Sequence, residues 1–408
     1  MKKEDFYKRA RRDVTGPLDG MTVVEATTSW AGPMAGCLLA DYGARVIKVE
    51  HPAGEVARRL VPRFPTGEKL GVPHETVNRN KRSVTLDLET PDGRDIFLAL
   101  VARADAVVEN FRAGTLARWG CGYEDARGVK PDIVYTSISG FGQFGPNCDR
   151  PAYDPLAQHF SGWASLNGEP NGEPVKAPTF LGDDLSGMHA ALATLAALRH
   201  RDRTGEGQHV DVALTDCIFY QSNGHLTSGA LGIPLKRWGN QFEVGAPANR
   251  YTCKDGWVFV GVLIDSQWTR IAQAMDRPDL ANDTRFTTLA ERLKHRQEAD
   301  ALVAAWCVAH TVDEILTAAI AAGVPITKVN TFAEAARDPQ VHERDMLIHT
   351  RLCDGTEVPL TGPPAKFSRT PVNIRSAAEA LGTSNAVVLR ELGYTDAQLA
   401  QLRGKGVI

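Results

Sequence analysis

MTVVEATTSWAGPMAGCLLADYGARVIKVE, residues 21–50, is the stretch that decides the fold. Residues 21–26 form a short apolar run that reads as a β-strand. Ala31-Gly32-Pro33 interrupts it, and residues 34–42 then carry a helical pattern. Residues 45–50 (RVIKVE) alternate as a second strand. A strand, a turn, a helix and a strand in this order make a crossover unit, which demands a parallel sheet. The turn holds no GxGxxG, so the glycine fingerprint of a nicotinamide dinucleotide site is absent.

Working outward, the alternation continues. Residues 52–78 are rich in Pro, Gly and charge and read as a long loop. Strands are expected at 83–88 (SVTLDL), 105–109 (DAVVE) and 132–137 (DIVYTS), with a helix opened by Pro91 and Asp92 running to about residue 102. Asn110-Phe111-Arg112 follows one strand, and a glycine-dense run from Gly140 to Pro146 follows another. Ligands in such sheets bind beyond the carboxyl ends of the strands. Residues 179–214 (TFLGDDLSGMHAALATLAALRHRDRTGEGQHVDVAL) supply an acidic pair, an alanine-rich helix, a Gly-rich turn and an alternating strand. A further helix runs to about 231. Asp255-Gly256 between two apolar runs reads as a hairpin turn; helices then fill 266–322, with a strand at 324–329. This pattern predicts an α/β protein with a Rossmann-like large domain begun by residues 1–224, a smaller domain at 225–325, and a return to the large domain at 326–408.

The chain has 408 residues, 43% hydrophobic and 23% charged, with a formal charge of −3. That near-balance argues against general nucleic-acid binding. Seven cysteines are scattered without a CxxC pair, which points to a reducing, cytoplasmic setting and no zinc site. No apolar run approaches the length of a membrane span, and the basic start MKKEDFYKRARRD lacks the apolar core of a secretory signal.

Asp183 and Asp184 are the leading candidates for chemistry. A carboxylate beside a helix start can cap the exposed N–H groups there. It can equally serve as a nucleophile or base whose charge the helix end stabilises. Locally, capping is the favoured role. The spacing of Met188, Leu192, Leu195 and Leu198 predicts an apolar stripe along the helix. Tyr153-Asp154 is a second candidate, read locally as a half-buried tyrosine before a helix opened by Asp154 and Pro155. Asn110, Phe111, Arg112 and Arg118 place basic groups beside an aromatic ring at a strand end, suited to phosphates or adenine. His189 and Cys217 read as packed residues. No serine lies in a GxSxG, so a serine hydrolase is unsupported.

Taken in order, WAGPMAGCLLADYGARVIKVE, NRNKRSVTLDLETPDGRD, VENFRAGTLARWG, SISGFGQFGP, AYDPLAQHFSG, GDDLSGMHAALATLAALRHRDRTGEGQHVDVAL, GVPITKVNTFAEAARDPQV, GPPAKFSRTP and LRELGYTDAQLAQLRGKGVI resemble the family III CoA-transferases, the CaiB/BaiF group that includes formyl-CoA and carnitine CoA-transferases. The resemblance implies an interlaced dimer, in which two chains thread through each other. It places the catalytic aspartate at Asp183, with Asp184 at a variable position. CoA contacts fall at His51, Leu86, Glu89, Asn110, Phe111, Arg112 and Arg118, and the acyl pocket at Trp30, Ala31, Phe141, Tyr153 and Asp154. Formyl-CoA transferases have arginine at His51 and glutamine at Trp30, and their glycine-run loop has no counterpart around Gly245-Ala246-Pro247. The implied reaction moves CoA from an acyl-CoA donor to a carboxylic acid acceptor through an aspartyl anhydride and an aspartyl-CoA thioester, with no metal and no permanently bound cofactor. Trp30 and Phe141 suggest an acid larger than formate or oxalate, aromatic or branched (a benzylsuccinate-type dicarboxylate, for example), with succinyl-CoA as donor.

Two alternatives follow from the same likeness. An α-methylacyl-CoA racemase would need a histidine opposite the aspartate as a second acid/base, and this chain has Tyr153 there. A catalytically silent CoA-binding subunit of a hetero-oligomer is the other, so either a homodimer or a heterodimer with a related chain is expected.

Overall fold

The computed structural model describes residues 1–65 and 70–408. The chain divides into two compact units. The first comprises Met1–Trp163, Lys176–Ile233 and Pro339–Ile408, and the second Ala164–Val175 and Pro234–Asp338.

The first unit is built on six strands: β1 Thr22–Ala26, β2 Arg45–Glu50, β3 Lys81–Thr85, β4 Ala106–Glu109, β5 Val134–Ser139 and β6 Gln208–Ala213. All neighbours pair in parallel, in the order β3-β2-β1-β4-β5-β6. The chain therefore reverses its direction of sheet growth between β1 and β4, the place where such sheets open a crevice. Alternate residues feed opposite faces, as strand geometry requires. Val23, Val46, Ala106 and Val134 enter one core with helices α1 (Ala31–Asp41), α4 (Leu181–Thr204) and α5 (Leu214–Tyr220), the remaining labels being α2 for Pro91–Val101 and α3 for Asp154–Phe160. Val24, Ile47, Val107 and Tyr135 enter the other core, with Ile96, Phe97 and Leu100 of α2 and with Val388, Leu389 and Leu399 from the C-terminal helices. Each large apolar side chain fully buried here contributes about 1.5–3 kcal/mol.

Several local readings change. Ala31-Gly32-Pro33 does not precede α1 but forms its first turn, where Pro33 removes an N–H that would have no partner anyway. The 52–78 loop contains a short 3-10 turn at Val56–Arg59 and a helix at Val72–Asn78, and its residues 66–69 lie outside the described residues. On α4 the expected stripe is only half right: Met188 and Leu192 are exposed, while Ser186, Gly187, Ala190, Ala191, Thr194, Ala197 and Leu198 are buried. Small residues face α1 because the helices are close. A Cβ on Gly187 would stand 2.8 Å from the Ala31 carbonyl oxygen and from Met34 Cβ.

The second unit carries an antiparallel sheet of β7 (Ala248–Thr252), β8 (Trp257–Gly261) and β9 (Ile326–Lys328), with the Asp255-Gly256 turn between β7 and β8. Its boundaries differ from the 225–325 span expected from sequence. β9 pairs with β8 and so extends the unit past residue 325. The excursion Ala164–Val175 joins it because the Arg237 guanidinium donates to the carbonyls of Ser165, Glu169 and Gly172. After Pro339 the chain rejoins the first unit through a hairpin of β10 (Leu347–Arg351) and β11 (Glu357–Thr361). No helix among the described residues is long and apolar enough to cross a membrane.

Candidate active site

The acids sit inside α4, not ahead of it. Phe180 occupies the N-cap position without a side-chain cap, so Asp183 and Asp184 are the third and fourth helical residues. The capping role belongs to a residue from another helix. Asp154, at the start of α3 and buried, accepts the Gly182 N–H on Oδ1 at 2.6 Å, and its Oδ2 accepts from Gln158 Nε2 at 2.7 Å. Gln158 lies one helical turn on and also accepts the Ala177 N–H, tying α3 to the segment that leads into α4.

Asp184 is held differently. Trp30 Nε1 donates to Asp184 Oδ1 at 2.6 Å, and the indole packs edge-on against Phe180 with ring centroids 5.1 Å apart. Trp30 ends the β1–α1 turn, which is shaped by buried polar contacts. Ser29 adopts a left-handed backbone with φ 69°, and its N–H donates to Glu55 Oε2 at 2.7 Å. Glu55 pairs with Lys48 at 2.9 Å, Lys48 with Glu25 at 3.3 Å, and Glu25 with Lys81 at 2.7 Å, all of them buried. Burial alone pulls the Lys48 ammonium down, and the charges of Glu55, Glu25 and Glu50 outweigh it, so it stays raised. Across the crevice, Asn110 accepts the Thr28 N–H and donates to the Thr28 carbonyl, each at 2.8 Å. The turn that carries Trp30 is thus clasped from β2, β4 and the post-β2 loop.

Among the described residues, no hydrogen bond or ion pair engages the Asp183 carboxylate, which is half-buried. Burial pushes Asp183 up to about 7, and the charges of Asp154 and Asp184 add to this. The positive end of α4 favours the anion, while burial and the two neighbouring charges oppose it. Asp184 is raised by burial as well, with the Trp30 hydrogen bond working against the shift. The result is one carboxylate poised near neutrality between Asp154, both of whose oxygens accept hydrogen bonds, and Asp184, one of whose oxygens does.

The remaining expected residues fall around the same strand ends. His51 follows β2, is exposed, and accepts the Ala53 N–H on Nδ1. Leu86 and Glu89 follow β3; Leu86 is buried in the core with its N–H donated to the Glu50 carbonyl, whereas Glu89 is exposed. Phe111 packs edge-on against Trp119 with centroids 5.4 Å apart, Arg112 is exposed, and Arg118 donates to Thr115 Oγ1. The Phe111 N–H donates to Glu109 Oε2 at 2.8 Å; burial pushes Glu109 up to about 7, opposed by this bond and by Ser137. Phe141 follows β5 and packs on Phe160 of α3 with Arg150 over its ring. Ala31 is buried at the start of α1, and Tyr153 is exposed just before α3. Hydrogen bonds join Trp30 to Asp184, and Asp154 to the turn bearing Asp183. The expected CoA contacts are distributed over the ends of β2, β3 and β4.

Sequence reasoning missed Gln158, Phe180 and Glu55. Gln158 stands four residues after Asp154, a spacing that places both on one helix face and could have revealed it. Glu55, in a charge-rich loop, gave no signal at all.

The doubly wound sheet thus lacks the glycine fingerprint of a dinucleotide site in its first βα turn, and α4 carries near its start a carboxylate without a hydrogen-bond partner among the described residues. The sequence profile of CoA-transferase family III matches residues 18–385. The chain is 36% identical over 404 residues to a succinyl-CoA–D-citramalate CoA-transferase of Chloroflexus aurantiacus, covering 96% of this chain and 98% of that one. It is 37% identical over 401 residues to the beta subunit of a succinyl-CoA–L-malate CoA-transferase of the same organism, covering 97% and 98%. The crystal structure of a CAIB/BAIF family protein from Brucella suis superposes with a TM-score of 0.83 at 35% identity, covering 93% of this chain and 100% of that one. The chain belongs to CoA-transferase family III, and it is a CoA-transferase that acts on CoA thioesters.

Proposed function

We propose that this enzyme takes CoA from succinyl-CoA and delivers it to a small dicarboxylic acid, with Asp183 as the covalent carrier. The observation that carries this reading is the Asp183 carboxylate itself, without a hydrogen-bond partner among the described residues and flanked by two tethered acids. An oxygen of ionised Asp183 attacks the thioester carbonyl, the C–S bond breaks, and CoA leaves as thiolate. The thiolate then attacks the aspartyl carbonyl of the mixed anhydride, releasing the donor acid and leaving an aspartyl-CoA thioester. The acceptor carboxylate repeats the two steps in reverse, so the thioester's energy is conserved and no water enters. The Ala31 and Gly32 N–H groups in the first turn of α1 are suited to the oxyanion that develops, the Gly182 N–H of α4 being taken by Asp154.

The substrate class follows from the relatives, which are named for succinyl-CoA with citramalate or malate. The large aromatic acid suggested by Trp30 loses its main support, because the indole is engaged with Asp184 and Phe180. The CoA moiety would lie along the ends of β2, β3 and β4, with Arg112 and Arg118 exposed for its phosphates. Tyr153 in place of a histidine leaves the racemase reading without its second base. Exposed Leu156 and Phe160 on α3, Met188 and Leu192 on α4 and Tyr220 on α5 support assembly with a second copy or a related subunit, since these helices pack on one another and present apolar side chains outward.

The test is transfer from succinyl-CoA to a panel of carboxylic acids, read by chromatography of the acyl-CoA products, for wild type and Asp183→Asn. Loss of transfer in the variant is expected. Unchanged transfer in the variant refutes Asp183 as the carrier, and α-proton exchange without any acceptor refutes transfer as the reaction.

A further inference from the structure

We infer that Asp184 determines acceptor specificity: its outer carboxylate oxygen receives a hydrogen bond from an acyl group bearing a hydroxyl or ammonium donor next to, or one carbon beyond, the reacting carboxyl. The inference rests on Asp183 as the carrier and extends it to the neighbouring side chain.

Adjacent side chains on a helix point about 100° apart, yet the two carboxylates are near enough for the charge of Asp184 to raise Asp183, so an acyl group attached to Asp183 comes within reach of Asp184. One oxygen is committed to Trp30 Nε1 at 2.6 Å. The indole N–H is a donor only, so it fixes that oxygen as an acceptor and sets the orientation of the carboxylate. Packing of Trp30 on Phe180, and the clasp on the Ser29 turn, keep the donor in place. The second oxygen has no protein partner among the described residues, and the side chain is only half-buried. An ionised carboxylate can accept but not donate. What it recognises must therefore carry a donor, and a second carboxylate or a ketone brought against it would meet like charge or a lone pair. A dicarboxylic acceptor fits only with its distal carboxylate turned away and a donor substituent turned towards Asp184.

A purely structural role, in which Asp184 merely anchors Trp30, makes a different prediction. In Asp184→Asn the amide oxygen must stay on Trp30 Nε1, which needs an acceptor, so the amide nitrogen turns outward. The anchor survives while the outer atom changes from acceptor to donor.

The experiment measures kcat/KM with succinyl-CoA as donor for two matched acceptor pairs, butyrate with 3-hydroxybutyrate and isotope-labelled succinate (read as label entering succinyl-CoA) with malate, and for aspartate as the ammonium-bearing member. Wild type is expected to favour the donor-bearing member by about 10- to 100-fold, the range for a hydrogen bond to a charged group. Asp184→Asn is expected to erase or invert that preference, and Trp30→Phe, which keeps an aromatic ring against Phe180, to weaken it. A preference for malate over aspartate, or the reverse, tells a hydroxyl from an ammonium. Equal use of the paired members by wild type, no turnover of any donor-bearing member, or a preference that persists in Asp184→Asn overturns the inference. Hydroxylamine trapping after succinyl-CoA alone, followed by peptide mass analysis, separates this from the carrier reading. A hydroxamate at Asp183 in wild type and Asp184→Asn shows that the carrier works and the variant is folded, whereas its absence from wild type removes the carrier reading itself.

Discussion

Replacing Asp183 with asparagine should stabilise the protein while disabling it, and the gain should depend on pH. The carboxyl is pushed up to about 7 in the folded chain by burial and by Asp154 and Asp184, against about 3.9 for an unfolded aspartate. The folded state therefore binds a proton more tightly than the unfolded state does, and the protein loses stability as pH rises from about 4 through 7. About three units at 1.36 kcal/mol each sets a ceiling of about 4 kcal/mol. Asp183 is only half-buried, so solvent screening reduces the expressed cost to about 1–2 kcal/mol. Asparagine keeps the shape and avoids the charge. Thermal unfolding of both proteins across pH 4–9 should show nearly equal midpoints at pH 4, a divergence through pH 5–7, and a plateau above pH 8 with the variant higher by about 1–2 °C. A midpoint difference that is constant with pH, or larger in acid, would refute the placement of Asp183 as a strained carboxylate.

Three further outcomes are expected. The pH dependence of kcat/KM should show an acidic limb near 7 as Asp183 ionises, and Asp184→Asn should move that limb to lower pH by removing a neighbouring negative charge, as read from initial rates at limiting succinyl-CoA. Glu55→Gln should cost about 3–5 kcal/mol in urea unfolding, because it leaves Lys48 with a weakened partner in a buried site. Gly187→Ala should lower stability by about 1–3 kcal/mol and depress transfer more than substrate binding, since the new methyl group must push α4 away from Ala31 and Met34; a variant with wild-type kcat would show that the spacing of the helices does not matter to the reaction.

What was legible in the sequence was whatever local period and chain order control. The alternation of strands and helices, the Asp255-Gly256 hairpin and the placement of Asn110, Phe111 and Gly140 beyond strand ends follow from patterns a few residues long. The unread parts depend on partners distant in sequence. Asp183 and Asp184 look like caps until α3 supplies Asp154 to the Gly182 N–H, 28 residues away in sequence. Leu192 looks like core until the small residues beside it let α4 settle against α1 on a different face. The charge-rich loop after β2 looks solvated, yet Glu55 is buried by its ion pair with Lys48. In each case the local preference was real and a tertiary contact overrode it.

The close seat of α4 on α1 also bears on how an enzyme of this kind acquires new substrates. With the Ala31 carbonyl and the Met34 side chain held against the backbone at Gly187, the wall one helical turn from the reacting carboxylate can be widened only by moving α4. Diversification is then channelled into two side chains, Trp30 and Asp184, each of which can be exchanged without moving a helix. A mutational library confined to those two positions should sample more new acceptors than one ten times larger spread through the surrounding core.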